Sequence, residues 1–207
     1  SRGEVTMTVI PILNLRGRTP SAIDIDGLAL VDMAGGRMAG IVPARLIPYY
    51  LLLTDRYHNG VIEVPCGAGA RQTSIPMDAF EVVDGQSSIR PVIRGDSLRL
   101  QVKIELVGAI GELVCAPVMD KQQWKQFEER LATAVSDRVR ETLELLQRQK
   151  ADVIGIGDRL YRTHTGRWRQ WKPDWPERFA RCEFEIEVKA KMQSTGIDVG
   201  EPFSYVK

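Results

Sequence analysis

The clearest pattern in the chain is a stripe of apolar residues that recur every three or four positions between Lys121 and Lys150. Its members are Trp124, Phe127, Leu131, Val135, Val139, Leu143 and Leu146. Charged residues fill the other faces, and Asp120 is suited to the N-cap position. The spacing predicts one long amphipathic helix over about residues 121–150, which is long enough to lie across a whole sheet.

Alternation with a period of two predicts one strand before this helix in the sequence and one after it. Every second residue of Ser97–Leu106 is apolar, and apolar residues alternate with charged or polar ones again from Cys182 to Gln193. Such alternation is typical of half-buried strands. Gly60–Pro65 and Ile75–Val83 continue the β pattern, so a mostly antiparallel sheet is expected.

The N-terminal part of the chain predicts three further strands and a helix. Val5–Leu15 is rich in β-branched residues, and Pro11 places this strand at a sheet edge because proline cannot donate a ladder hydrogen bond. Ile23–Val31 and Arg37–Val42 flank a glycine pair and predict a hairpin. Pro43 is expected to begin a short buried helix.

The pattern after the long helix is weaker. Asp152 is a second expected cap, for a shorter helix in which Ile156 and Leu160 share one side. Residues 165–179 are expected to form loop and single turns, with a helix start at Asp174-Trp175-Pro176-Glu177. Together the elements predict an α+β fold, with a mostly antiparallel sheet covered by one long amphipathic helix and shorter helices. We treat residues 1–207 as one domain.

Charge and hydropathy exclude two classes of protein. The 28 Lys and Arg residues nearly balance the 27 Asp and Glu residues, for a net charge of +1. This leaves no basic field for a phosphate backbone, so we predict no nucleic-acid partner. The longest apolar stretch runs only from Leu46 to Leu53, whereas a membrane-spanning helix needs about 20 residues.

The cysteines are Cys66, Cys115 and Cys182. Their odd number and wide spacing argue against a disulfide framework and against a CxxC metal site. We expect each to be a small buried hydrophobe, and the sequence leaves their redox state open.

Residues with catalytic or ligand-binding potential do not converge on one site. Gly155 and Gly157 follow a helix rather than a strand, so a dinucleotide loop is disfavoured, and close backbone packing is expected instead. His58 and His164 lie in separate predicted loops without metal-ligand spacing. Glu183, Glu185 and Glu187 are expected to form a solvated strand face, with Arg99 or Lys103 as cross-strand partners. We therefore predict no catalytic residue, metal or cofactor.

A cluster of aromatic and basic residues is the candidate binding surface. It comprises Trp168, Trp171, Trp175, Arg167 and Arg169. Core packing of at least two indoles is the first interpretation. A protein-partner surface is the second, since tryptophan and arginine anchor interfaces. If all three indoles are buried, the partner-surface interpretation of the tryptophans fails.

The order of motifs resembles the C-terminal domain of the GerAC, or Ger(x)C, family. The specific part runs from Asp152 to Gly196 and follows the long helix. The motifs that carry the resemblance are Lys150-Ala151-Asp152-Val153-Ile154-Gly155-Ile156-Gly157, Tyr161-Arg162, Trp168, Lys172, Trp175, Phe179, the charged alternating strand and Thr195-Gly196. A weaker similarity extends back to Ile23. Gly27-Leu28-Ala29-Leu30 followed by Arg37-Met38-Ala39-Gly40 resembles the family's hairpin, and Gly111-Glu112 resembles its turn before the long helix.

The resemblance implies a C subunit of a spore germinant receptor. Members are lipoproteins on the outer face of the spore inner membrane, held by lipid on an N-terminal Cys, and they act with integral-membrane A and B subunits. This chain has no lipobox and is shorter than the usual family member. It is therefore expected to be a fragment, with residues 1–20 a first strand or a remnant of a preceding domain and residues 21–207 the GerAC-like C-terminal domain.

Two hypotheses for function follow. The first is a non-enzymatic interaction module of a germinant receptor, which presents a polar sheet face or the tryptophan-rich segment to receptor partners. The second is a module that binds a small nutrient germinant in a pocket between helix and sheet.

Overall fold

The computed structural model describes residues 7–16, 22–66, 76–115 and 120–193. Two sheets are present in this part of the chain. The first is a three-stranded antiparallel sheet of β1 (Met7–Arg16), β2 (Ala22–Asp32) and β3 (Arg37–Pro43), in the order β1-β2-β3. The hairpin prediction is confirmed, and β1, with Pro11, lies at an edge of the sheet as expected.

The second sheet has four strands in the order β4-β5-β6-β7, with bounds Gly60–Pro65, Met77–Arg94, Ser97–Glu112 and Glu183–Met192. β4, β5 and β6 are antiparallel neighbours, whereas β7 pairs parallel to β6. The sheet is thus mostly antiparallel, as predicted, with one parallel edge strand. The helices between β6 and β7 provide the long crossover that a parallel pair requires.

The predicted long helix is α2 (Lys121–Arg148), and Asp120 caps it. The Asp120 carboxylate accepts hydrogen bonds from the backbone N–H groups of Gln122 and Gln123 at 2.9 and 2.8 Å. The apolar stripe packs into the core: Phe127, Leu131, Val135, Val139, Leu143 and Leu146 are fully buried. They belong to one hydrophobic cluster with the inner faces of both sheets.

The short helices differ from the sequence-based expectation. Pro43 ends β3, and α1 (Ile47–Leu53) begins four residues later, after a 3₁₀ turn over Ala44–Leu46. After α3 (Ile156–Thr163), the chain forms α4 (Thr165–Trp171) where a loop was expected, and then a 3₁₀ turn over Lys172–Asp174. The expected helix start at Asp174-Trp175-Pro176-Glu177 is confirmed by α5 (Trp175–Arg181).

Burial explains this correction. Trp168, Trp171, Trp175 and Phe179 recur at intervals of three and four and are all buried, which is the signature of a helical core face. Gly166, Pro173 and Pro176 hid that signature in the sequence. Pro176 lies in the first turn of α5, where a missing N–H is not costly.

Strand β5 also extends further than predicted, from Val83 to Arg94. A register shift between Val82 and Asp84 interrupts the apolar alternation at the point where the prediction stopped. Bulges of this kind break the period of two while the pairing continues. Thr195-Gly196, the last motif of the family resemblance, lies outside the described residues.

Candidate functional site

The three tryptophans of the candidate surface are buried, with 9%, 1% and 8% of Trp168, Trp171 and Trp175 exposed. Trp168 and Trp175 meet edge to face, with ring centroids 5.2 Å apart. The packing interpretation is therefore the one that the structure supports, and the indole rings do not form a partner surface. Arg169 is exposed and Arg167 is half-buried, and whether they contact a partner stays a prediction.

Two carboxylates accept hydrogen bonds from the N–H groups of two of the indoles, Trp171 and Trp175. The Asp152 carboxylate accepts hydrogen bonds from Trp175 Nε1 at 3.0 Å and from the backbone N–H groups of Ile156 and Gly157 at 2.9 and 2.6 Å. Asp152 thus caps α3, as predicted, although Gly155 occupies the N-cap position with a φ of +76°. At Gly157, a Cβ would lie 2.8 Å from Trp168 Cη2, so the expected close packing at this glycine is confirmed.

Asp96, in the turn between β5 and β6, is the second carboxylate. It accepts hydrogen bonds from Trp171 Nε1 at 3.1 Å and from Arg178 Nη1 at 2.9 Å. The Arg178 guanidinium also lies 4.8 Å from the centroid of the Trp171 ring. Sequence reasoning missed Asp96 because its partners are about eighty positions away. The tryptophan cluster therefore connects the second sheet to the helices through side-chain hydrogen bonds.

The outward face of β6 and β7 carries charged side chains that form ion pairs between the two strands. Arg99 Nη2 lies 2.8 Å from Glu183 Oε2, and Lys103 Nζ lies 3.3 Å from Glu187 Oε2. The parallel register aligns these pairs. The predicted solvated face and its basic partners are thus confirmed. Hydrogen bonds from Lys189 and Lys103 hold the pKa of Glu187 below its usual range.

Cys66 and Cys115 form a disulfide bond, which corrects the expectation that each is an isolated buried hydrophobe. The two residues lie 49 positions apart, just after β4 and just after β6, and their Cα atoms are 5.3 Å apart. No local sequence signal predicts this pairing, because β5 brings the ends of two other strands together.

A buried carboxylate supports the disulfide. Asp78 is fully buried. One carboxylate oxygen accepts hydrogen bonds from the N–H groups of Val114 and Cys115, both at 2.9 Å, and the other accepts from Arg130 Nη2 at 3.1 Å. Cys66, Asp78 and Cys115 group their ligand atoms within 4.8 Å. However, the two sulfurs are bonded to each other and both Asp78 oxygens have donors, so the geometry is that of a braced disulfide rather than a metal cage.

Cys182 is the free cysteine among the described residues, and it is buried as expected. Burial raises the pKa of its thiol to about 12, so the thiol is not poised as a nucleophile. The two histidines lie in loops, as predicted. His58 Nδ1 is 3.0 Å from the Gly85 carbonyl oxygen, and His164 Nδ1 is 2.8 Å from Thr163 Oγ1.

A crevice of about 410 Å³ separates the first sheet from the end of α2 and the helices that follow. Its charged lining residues are Asp32, Arg37, Lys150, Asp152, Asp158 and Glu177. Two ion pairs form within this lining: Lys150 Nζ lies 3.0 Å from Glu177 Oε1, and Arg37 Nε lies 3.6 Å from Asp32 Oδ2. The crevice is of a size for a small polar molecule.

Comparison with known proteins identifies the family. The sequence model described as spore germination B3/GerAC like, C-terminal, matches residues 26–196. Spore germination protein KC of Bacillus subtilis (strain 168) is 25% identical over 189 residues, which cover 89% of this chain and 44% of that protein. Spore germination protein YndF of the same organism is 25% identical over 123 residues, which cover 57% of this chain and 30% of that protein.

The fold is also found in a solved structure. The crystal structure of the GerBC protein superposes with a TM-score of 0.77 at 16% identity, over 93% of this chain and 58% of that chain. The α+β fold is thereby confirmed. This chain spans less than half the length of the curated relatives. Since the family model covers most of its residues, the chain belongs to the spore germination B3/GerAC-like C-terminal family.

Proposed function

We propose that this chain is the C-terminal domain of a spore germinant receptor C subunit, and that it acts in nutrient-triggered germination without catalysing a reaction. The family match carries this proposal. Both curated relatives are named spore germination proteins. In the proposal the domain is a rigid body that assembles with the membrane A and B subunits.

The charged face of β6 and β7 is the surface that we propose for assembly. Its ion pairs are solvent-exposed, and such pairs add little to stability. Complementary charges across an interface do, however, steer partners and fix their register. Along β7, Glu183, Glu185 and Glu187 are followed by Lys189 and Lys191. A partner with complementary charges would therefore bind this face in one orientation.

The proposed location is the outer face of the spore inner membrane, with a lipid on an N-terminal Cys holding the full-length protein. The Cys66–Cys115 disulfide supports a site outside the cytoplasm, because disulfides persist in oxidising compartments and are rare where thiols are kept reduced. Among the helices of the described residues, none is long and apolar enough to cross a membrane.

Pull-down with the A and B subunits tests the assembly role. We expect the full-length subunit to capture both partners and Glu185→Lys/Glu187→Lys to reduce capture several-fold, because the charge pattern of the face is reversed. Glu144→Lys is the matched control, since Glu144 is exposed on α2 away from this face. Undiminished assembly of a subunit that lacks this domain would contradict the proposal.

A second candidate function is binding of a small nutrient germinant. The crevice of about 410 Å³ favours it, because both acidic and basic side chains line one concave site. A thermal-shift screen with amino acids and sugars tests it, since a ligand at a hundredfold its Kd adds about 2.7 kcal/mol of stability. Any shift should be lost in Asp158→Asn and kept in Asp84→Asn, which lies outside the crevice. A flat screen would argue against this function.

A further inference from the structure

The outer face of the first sheet is apolar and faces solvent. Of the large hydrophobic side chains exposed in the described residues, most lie in β1–β3 or their turn: Ile10, Leu13, Ile23, Ile25, Met33, Met38 and Ile41. Ile10, Met38 and Ile41 have 50%, 61% and 43% of their surface exposed. Contiguous exposed apolar patches usually mark a site of contact.

The strand register shows that these residues are neighbours. Ile10, Ala29 and Ile41 stand side by side, and Thr8, Val31 and Met38 form the adjoining row. Residues opposite one another in an antiparallel pair project from the same face. The opposite face carries Leu30 and Val42, which are fully buried in the core. These two outer rows contain no charged residue.

The second sheet provides a contrast within the same molecule. Its outward face bears Arg99, Lys103, Glu183 and Glu187 in exposed ion pairs, as expected for a sheet with one wet face. The two outer rows of the first sheet carry no such ion pairs. In addition, β1 is an edge strand of this sheet, and exposed apolar edge strands tend to associate with other polypeptides. The two faces are therefore built for different surroundings.

The lengths of the relatives indicate what covers the apolar face. The matched family model is described as C-terminal and begins at residue 26, within β2, so β1 precedes the matched region. In spore germination protein KC the aligned part is 44% of the protein. In a protein with this domain organisation, the polypeptide that precedes the C-terminal domain is joined directly to β1. A tethered neighbour has an effective concentration of about the millimolar range.

We propose that the apolar face of β1–β3 packs against the domain that precedes it in the same polypeptide. The inference rests on the proposed domain organisation, in which this chain is the C-terminal part of a longer receptor subunit. Interfaces between domains of one chain typically bury about 600–1,500 Å². The interface joins the two domains into one unit and leaves the charged face of β6 and β7 open to the other subunits.

Oxidative footprinting of the full-length polypeptide and of this chain tests the proposal. We expect Met38 to lose most of its reactivity in the full-length protein, whereas Tyr161 on α3, which is 37% exposed, should react equally in both. Ile41→Lys should restore the reactivity of Met38 in the full-length protein. Val61→Lys is the matched control, because Val61 is 58% exposed but lies in the second sheet.

Three results would overturn the proposal. Met38 could react equally in both proteins, which would leave the face uncovered by the preceding domain. The full-length polypeptide could form a dimer in light scattering that Ile41→Lys dissociates, which would assign the face to a second copy. The full-length polypeptide could sediment with phosphatidylglycerol vesicles unless Ile41 is replaced, which would assign the face to lipid. Capture of the A and B subunits is measured separately, so the assembly role can survive each of these results.

Discussion

At the scale of single residues, Asp96 joins the β5–β6 turn to the helices. Hydrogen bonds from Arg178 and then Trp171 hold the pKa of the Asp96 carboxyl below its usual range. A carboxyl whose pKa is lower in the folded than in the unfolded state stabilises the fold at neutral pH. That contribution is lost as the pH falls through the folded pKa.

Replacement of Asp96 by Asn should therefore lower the Tm at neutral pH, and the difference from the wild type should shrink below about pH 4. Thermal unfolding followed by tryptophan fluorescence over a pH series measures this. Asp137→Asn, at an exposed position on α2, is the control, because it removes one carboxylate without removing the partner of Trp171 and Arg178. A Tm difference that stays constant down to acid pH would contradict the assignment.

Cys182 leads to a prediction about thiol reactivity. Because burial raises the pKa of this thiol to about 12, it should not react with a thiol reagent in the folded protein near neutral pH. Denaturation without reductant should expose Cys182 alone, whereas denaturation with reductant should expose all three cysteines. Titration with a chromogenic disulfide reagent counts them. Three reactive thiols without reductant would show that Cys66 and Cys115 are not bonded.

At the scale of elements, the packing of α3 against the tryptophans depends on a missing side chain. A Cβ on Gly157 would lie 2.8 Å from Trp168 Cη2 and 3.0 Å from Trp175 Nε1. Gly157→Ala should therefore lower the free energy of unfolding by about 1–3 kcal/mol through overpacking. Urea denaturation followed by tryptophan fluorescence measures the change.

Gly166→Ala is the matched control for this prediction. Gly166 lies in α4, and a Cβ there would meet nothing within 4 Å. This substitution should be neutral or stabilising by about 0.5–1 kcal/mol, because alanine favours a helix over glycine. Equal effects of the two substitutions would mean that the backbone, and not the contact with the indoles, sets the cost at Gly157.

The elements differ in how far their sequences specify them. The seven-residue stripe of α2 and the alternation of β6 repeat long enough to define a period, and both were predicted with their buried faces. The helical spacing of Trp168, Trp171, Trp175 and Phe179 is present too, but proline and glycine interrupt it, so that only the start of α5 is predictable and α4 resembles a loop. Short helices that gain their stability from tertiary burial give weak local signals.

At the scale of the whole molecule, the Cys66–Cys115 disulfide closes a long loop that contains β5 and β6. A cross-link of this span restricts the unfolded chain, so Cys66→Ser/Cys115→Ser should lower the free energy of unfolding by about 2–4 kcal/mol. Urea denaturation with and without reductant checks this. Reductant should weaken the wild type and leave the double variant unchanged. A reductant-insensitive wild type would contradict a stabilising disulfide.

The candidate surfaces were predictable in unequal measure. The alternation of β7 is sufficient to place Glu183, Glu185 and Glu187 on one solvated face, and the alternation of β6 makes Arg99 and Lys103 candidate partners for them. The composition of the tryptophan segment indicates a special role, but composition does not show whether the indoles are buried in the core or exposed to a partner. The solvent exposure of the apolar outer face of β1–β3 is not predictable from the sequence, since strands with apolar residues on both faces are usually fully buried.

Local sequence patterns are enough to predict the α+β class, the long helix with its cap and buried stripe, the first hairpin and the charged strand faces. Each depends on a local period or on a neighbour a few positions away. The folded structure is needed to establish the disulfide, the parallel pairing of β7, the burial of the three indoles and the solvent exposure of the first sheet's apolar face. Each of these depends on contacts, or on missing contacts, between residues far apart in the chain, and no local pattern records which distant segments meet.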